Sequence, residues 1–202
     1  MEMFEKSILV VAHPDDENLW FSSILSKVDK VILCFLPVES EPVWTEGRRK
    51  SLSAYPLDNV SCLELVESEV FYGASWEQPL TTEYGMKISN SRYSDKVYIN
   101  NYNALKARLQ EYLQGYRNVF THNPWGEYGH VEHVQVYRSI KALQKGMQFN
   151  LWYSNYVSNK SAKLMIKELA GLDYRAVTLP TNKTLAVDIA NSRTASVIIL
   201  SP

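Results

Sequence analysis

The chain has 202 residues, is 46% hydrophobic and 21% charged, and carries a formal net charge of −1. That length suits one domain able to bury its own core without disulfides or a structural metal. The near-neutral balance gives no electrostatic case for nucleic acid or an anionic membrane, and the basic run Arg48-Arg49-Lys50 is too short to make one.

Ser7–Ala12 (SILVVA) is a short continuous apolar run, the pattern of a strand buried on both faces. The N-terminus before it is too acidic for a signal peptide, and the run is too short for a membrane span. From Glu17 to Val28, Trp20, Phe21, Ile24, Leu25 and Val28 recur at helical spacing. Lys30–Leu36 (KVILCFL) is a second buried strand, Glu46–Ala54 a short helix stopping before Pro56, and Val60–Val66 a third strand. Cys34 and Cys62 sit in separate strand-like runs and read as free thiols of a reducing compartment, with the cytoplasm as the expected location.

Residues from about 70 to 100 show no clean period and contain Gly73, Pro79 and Gly85. Long irregular segments of this kind are often functional. A helix follows with Tyr102, Leu105, Leu109, Tyr112 and Leu113 on one face and Gly115 near its end. Asn118–Thr121 is a fourth strand. The next helix starts near His130 and buries Val131, Val134 and Tyr137. A further helix spans about Ser161–Leu169, with Ala162, Met165, Ile166 and Leu169 as its stripe. Tyr174–Leu179 reads as a strand, and Ala195–Leu200 as β-like. The alternation predicts an α/β fold: one domain over residues 1–202, Rossmann-like, in three layers, with a mainly parallel sheet. Ligands of such folds bind at the carboxyl ends of the strands.

Two segments fall at that edge. The first, His13-Pro14-Asp15-Asp16-Glu17, places one histidine and three carboxylates directly after a buried strand. Unpaired carboxylates there are costly, and a cation removes the cost. The alternative is a helix cap, with Asp15 or Asp16 at the N-cap and Glu17 in the first turn. The second segment, His122–His133, holds three of the chain's four histidines. His130 and His133 are three apart at a helix start and share a face. Together the segments offer nitrogen and oxygen ligands suited to zinc.

Val11-Ala12-His13-Pro14-Asp15-Asp16-Glu17 resembles the signature of the LmbE-like, or PIG-L, family of metal-dependent de-N-acetylases. Tyr128-Gly129-His130-Val131-Glu132-His133 resembles that family's later His-x-x-His motif, and is close to the Tyr-Gly-His-Pro-Asp-His form of mycothiol-pathway deacetylases, with Val131 for proline and Glu132 for aspartate. The resemblance implies a hydrolase that removes an acetyl group from an N-acetylated sugar or glycoconjugate of the N-acetylglucosamine kind. It implies zinc, with iron(II) or another divalent metal as substitutes. His13, Asp16 and His133 would hold the metal, and Asp15 would be the general base. His130 would act as electrophile or general acid, and Tyr128 would help to stabilise the oxyanion. Glu132 would orient a histidine from behind. Arg48 or Arg49 would fill the place of a family arginine that contacts substrate, and Ser51 stands near where the following glutamate is expected.

Two other classes fit parts of this pattern. Non-haem iron(II) oxygenases share the two-histidine, one-carboxylate set, although they are built on jelly rolls. A non-catalytic sugar-binding protein would have no use for Asp15. Trp44, Trp76, Trp125, Tyr72 and Tyr84 are candidates to stack on a sugar ring, and His122 is expected to pack at the strand end or support a ligand.

Overall fold

The computed structural model describes residues 2–172 and 175–197, the last five of these by their backbone alone. Five strands form one parallel sheet: β1 (Ser7–Val11), β2 (Lys30–Phe35), β3 (Val60–Leu65), β6 (Asn118–Thr121) and β7 (Asn150–Tyr153), in the order β3-β2-β1-β6-β7. Between β3 and β6 lies a two-stranded antiparallel hairpin, β4 (Thr81–Thr82) and β5 (Gly85–Met86).

All five residues of β1 are buried, because helices cover both faces of the sheet. Ile8, Val10 and Ala12 point to one side, with Ile32 and Cys34 of β2. They pack on Leu105 and Leu109 of α3 (Lys96–Tyr112) and on Val136 and Ile140 of α4 (Val131–Met147). Leu9 and Val11 point to the other side, with Val31 and Leu33. There they meet Phe21 of α1 (Asp16–Phe21), Leu52 of α2 (Pro42–Ser53) and Ile189 of α6 (Lys183–Val197). This period-two division makes the three-layer, Rossmann-like α/β architecture that the alternation predicts. It also separates the cysteines: Cys34 lies in one core and Cys62 against the other, and both are free.

Several boundaries differ from the sequence expectations. α1 ends at Phe21, and a series of turns carries Ile24, Leu25 and Val28 into the core. The Ser22-Ser23 pair after it favours turn over helix. α2 begins at Pro42, whose fixed φ suits the first helical turn, rather than at Glu46. In α5 (Ala162–Leu169) Leu164 is buried, whereas Ile166 is 67% exposed. β7 and α6 were not anticipated. Of the expected strand Tyr174–Leu179, Tyr174 lies outside the described residues and the rest is not a strand. Of the expected β-like stretch Ala195–Leu200, Ala195–Val197 belong to α6 and residues 198–200 lie outside the described residues. Among the described residues no helix is long and apolar enough to cross a membrane.

The irregular stretch before α3 packs as a third core with Val70, Trp76, Met86, Tyr98, Trp125, Val131 and Leu164. The Tyr98 hydroxyl accepts from Met86 N (3.0 Å) and donates to Val131 O (2.9 Å). It thereby fastens the hairpin to the first turn of α4. Gly85, at φ 130°, lies against that hydroxyl, which would be 2.2 Å from any added Cβ.

Candidate metal centre

β1 and β6 are neighbours, but the chain leaves β1 towards β2 and reaches β6 from the far side of the sheet. Their carboxyl ends are therefore the point where strand order reverses, the customary ligand crevice of open α/β sheets. The His13–Glu17 segment leaves β1 there, and the His122–His133 segment leaves β6. Ala12 N–H joins them by donating to His122 Nε2 at 2.8 Å.

The turn after β1 is strained. Asp15 has φ 142° and ψ −29°, a region that L-residues avoid, which marks a position held there by its surroundings. Asp15 occupies the N-cap position of α1, but its side chain makes no capping bond and is exposed. The Asp16 carboxylate turns back instead, accepting His13 N–H at 2.7 Å and Trp20 Nε1–H at 3.1 Å. The cap alternative holds for position, with Asp15 at the N-cap and Glu17 in the first turn, but not for a capping bond from the Asp15 side chain. Glu17 is buried, accepting Asp15 N–H (2.9 Å) and the Tyr55 hydroxyl (2.8 Å).

The loop after β6 passes through left-handed conformations at Gly126 (φ 67°), Glu127 (φ 52°) and Gly129 (φ 92°). A Cβ at position 126 would meet His130 O at 2.5 Å, so glycine is required for the tight return. The turn directs the Glu127 carboxylate inward. Oε1 accepts Asn123 N–H (2.9 Å) and the Ser154 hydroxyl (2.5 Å), and Oε2 faces His122 Nδ1 (3.1 Å) and His133 Nδ1 (2.9 Å).

These hydrogen bonds assign the histidine nitrogens. His133 gives its Nδ1 proton to Glu127, leaving the Nε2 lone pair facing the site. Nε2 has no hydrogen-bond partner although it is buried, and lies 3.2 Å from Asp16 Oδ1. His13 gives its Nε2 proton to Glu132 Oε2 at 2.8 Å and turns Nδ1 towards Asp16 Oδ2 at 3.2 Å. Glu132 is fixed in turn by Ser68 N–H and hydroxyl, both 2.7 Å from Oε1. His130 is the N-cap of α4, and its Nδ1 accepts Glu132 N–H at 3.2 Å. Its proton is therefore on Nε2. Burial and the neighbouring His13 and His133 hold its pKa well below the ordinary value, so the ring is a neutral donor. In His122, burial lowers the pKa, while Glu127 and Asp16 raise it to about 9. The Ala12 amide on Nε2 decides for the neutral ring, because a proton there would oppose a fixed donor.

Three groupings bring ligand atoms within 4.8 Å of one another: His13, His130 and His133; Asp16, His122 and His133; and His13, Glu67 and Glu132. The set expected from the sequence, His13, Asp16 and His133, is thus split between the first two, with His133 in both. The nitrogen assignments reunite it. His122 has both nitrogens engaged, and His130 could bind through Nε2 only by moving its proton onto Nδ1, against the Glu132 amide. Glu67 is taken by Arg48, and Glu132 by Ser68 and His13. His13 Nδ1 and His133 Nε2 each lie 3.2 Å from an Asp16 oxygen, and those oxygens also accept His13 N–H and Trp20 Nε1–H.

The charge balance points the same way. Asp16, Glu17, Glu127 and Glu132 are each at most 2% exposed, and among the described residues no lysine or arginine is buried. Burial opposes ionisation of Asp16, but protons on His133 and His122 hold its pKa well below the usual carboxylate range, and, against burial, Asp16 and Glu132 in turn raise that of His13, so the histidines can supply the counter-charge as protons. His122 and His133 likewise bring Glu127 down to about 2. With no buried lysine or arginine among the described residues, a bound cation could take the place of those protons.

Tyr128 is half-buried beside the cluster, its ring edge-on to His133 with centroids 5.4 Å apart. Burial, then Asp16 and Asp15, raise its pKa, keeping the phenol protonated. Of the two arginines, Arg48 reaches inward, bonding Leu36 O (3.0 Å) and Glu67, whose carboxylate lies 3.7 Å from His13 Nε2. Its carboxylate partner thus comes from the loop after β3 rather than from position 51 of its own helix. Arg49 pairs with exposed Glu64. Trp76 and Trp125 are core residues, whereas Trp44 and Tyr72 are exposed. Sequence reasoning missed Glu127, Glu67 and Ser68. The one available signal was a glutamate set between two glycines, six residues before a candidate ligand.

No family model matches the chain. An uncharacterized protein of Acanthamoeba polyphaga mimivirus is 23% identical over 168 residues, spanning 81% of this chain and 68% of that relative.

Proposed function

We propose that the protein is a zinc-dependent hydrolase that removes the acetyl group from an N-acetylated sugar or glycoconjugate of the N-acetylglucosamine kind, as its two motifs' resemblance to LmbE-like, or PIG-L, de-N-acetylases implies. The observation that carries the reading is the buried, unpartnered Nε2 of His133, facing Asp16 inside an anionic cluster with no buried lysine or arginine among the described residues.

His13, Asp16 and His133 would hold the ion, each histidine backed by a glutamate that fixes its tautomer. Three protein ligands leave a position open, as catalytic zinc requires. Bound there, zinc would lower the pKa of water to roughly 7 and polarise the acyl carbonyl. Asp15, exposed on a strained turn next to Asp16, would accept the proton of the attacking water. His130 donates its Nε2–H towards the oxygen on which charge develops, and the Tyr128 hydroxyl provides a second donor. The proton taken by Asp15 is then delivered to the departing amine, giving acetate and a free amino sugar. The parallel α/β sheet favours this reading over an iron oxygenase.

The test is a screen of N-acetylated glycans and conjugates for released acetate, with metal content measured on the same preparation. Acetate release that needs one equivalent of divalent metal supports the proposal. Folded protein that binds no divalent metal would end it.

A further inference from the structure

The loop between β7 and α5 reaches the same edge of the sheet. Its course is set by the loop after β6: Tyr156 O accepts Asn123 Nδ2–H (2.9 Å) and Trp125 Nε1–H (2.7 Å), and the Ser161 hydroxyl donates to Glu127 O (2.5 Å). Lys160, next to the Ser161 anchor, is therefore held in place rather than free at the surface. Its methylenes run along Gly129, where an added Cβ would lie 2.9 Å from Lys160 Cδ. Its ammonium sits 3.8 Å from the centroid of the Phe71 ring and 5.2 Å from that of Trp76. The Phe71 ring in turn packs on His130, centroids 4.8 Å apart. Lys160 is one aromatic ring away from the histidine assigned above as the donor.

Among the described residues no carboxylate lies within ion-pair distance of Lys160, whereas Lys163 nearby pairs with Glu77. Burial lowers the Lys160 pKa. The aromatic rings offset part of the cost of desolvating the ammonium but leave its N–H groups without an anion. A half-buried cation against an aromatic platform at the rim of a site suits a ligand with an apolar ring face and a negative group beyond it.

We propose that Lys160, seated on Phe71 and backed by the core residue Trp76, forms a subsite for an anionic group of the substrate, a carboxylate or a phosphate on the sugar or its aglycone. The inference rests on the reading of the site as a sugar de-N-acetylase and narrows its substrate class to acidic conjugates.

The experiment compares three probes on the full chain supplied with zinc: N-acetylglucosamine, its 1-phosphate, and N-acetylmuramate, the last two separating phosphate from carboxylate. Dissociation constants are measured for the unaltered protein and for Lys160→Met, which keeps the stem against Gly129 and removes the charge. At least one anionic probe should bind about tenfold more tightly than the neutral sugar, the ~1.4 kcal/mol within reach of one charge-assisted hydrogen bond. Lys160→Met should abolish that preference without changing zinc content or the affinity for the neutral sugar. Equal binding of neutral and charged probes, binding of neither, or an equal loss for all three in Lys160→Met overturns the subsite. Acetate release followed in parallel separates the two claims. A charge preference without acetate removes the deacetylase reading and keeps the subsite, and acetate without a charge preference does the reverse.

Discussion

His130 and His133 lie on one helix face, three residues apart, with rings stacked at a centroid distance of 4.7 Å, yet they should respond differently to replacement. The difference follows from their protons. Glu127 takes the Nδ1 proton of His133 and exposes its Nε2 lone pair, whereas the Glu132 amide occupies Nδ1 of His130 and leaves Nε2 as a donor. Structural zinc in zinc-finger peptides binds with about 10–16 kcal/mol, which sets the scale. Shared among three ligands, loss of one costs ~3–5 kcal/mol, on the order of 10²–10³-fold or more in affinity. We predict that His133→Ala loses the metal on dialysis against a weak chelator. His130→Asn, whose side-chain oxygen can still cap α4, should keep a full equivalent while turnover falls by ~10²–10³, as for loss of an oxyanion donor. Elemental analysis of both dialysed variants, with circular dichroism as the check on folding, decides the matter. A metal-free His130→Asn beside a metal-loaded His133→Ala would refute the tautomer argument and require the donor site to be redrawn.

Three further outcomes are expected. Asp15→Asn should keep its metal and lose ~10²–10⁴ in rate, because an amide nearly preserves shape but cannot take a proton; metal loss equal to that of Asp16→Ala would show the two carboxylates to be wrongly assigned. Glu127→Gln sets an amide nitrogen against at least one of the donors now facing the carboxylate, so metal affinity in a competition titration should fall ~10–100-fold; an unchanged affinity would mean that the His133 tautomer does not depend on Glu127. Tyr98→Phe leaves Met86 N–H and Val131 O without the hydroxyl that joins them, and should lower the unfolding free energy by about 1–3 kcal/mol in urea; a change below ~0.5 kcal/mol would show that the bridge carries little.

The parts of the fold legible in the sequence are those buried on two faces. β1 and β2 are largely apolar runs because helices cover both sides; β6 (NVFT) is fully buried though half polar, and the edge strand β3 (VSCLEL) was legible from its β-branched and apolar residues although it is mostly half-buried. β7 escaped notice because Asn150–Tyr153 is four residues at a sheet edge, none fully buried. α6 escaped because Lys183–Val197 spreads its apolar residues around the helix, Ile189 buried but Val187 56% exposed, and its β-branched end imitates a strand. At the site, the motifs beside a strand end and a helix start drew attention to His13, Asp16 and His133, and the structure places Asp16 3.2 Å from each of the two histidines. Glu127 was not readable. A glutamate between glycines ordinarily marks an exposed turn, and only the left-handed backbone at 126 and 127 turns this one inward. Glu67 and Ser68 come from beyond β3, and no local pattern connects them with a histidine on β1's far end.

The fastening of the hairpin by Tyr98 has a consequence for redesign. Residues 70–95 share a small core with Tyr98, Trp125, Val131 and Leu164, contribute Phe71 to the wall beside His130, and are anchored at the far end by a hydroxyl and by Gln135, which donates to Tyr84 O. None of the atoms of the proposed metal site belongs to them. The segment is therefore separable from the chemistry, and a foreign stretch could replace it provided that Ser68 stays to grip Glu132 and Tyr98 stays to receive the new chain. Position 69 is the natural seam for such an exchange, and selectivity could then be recast over an unaltered centre.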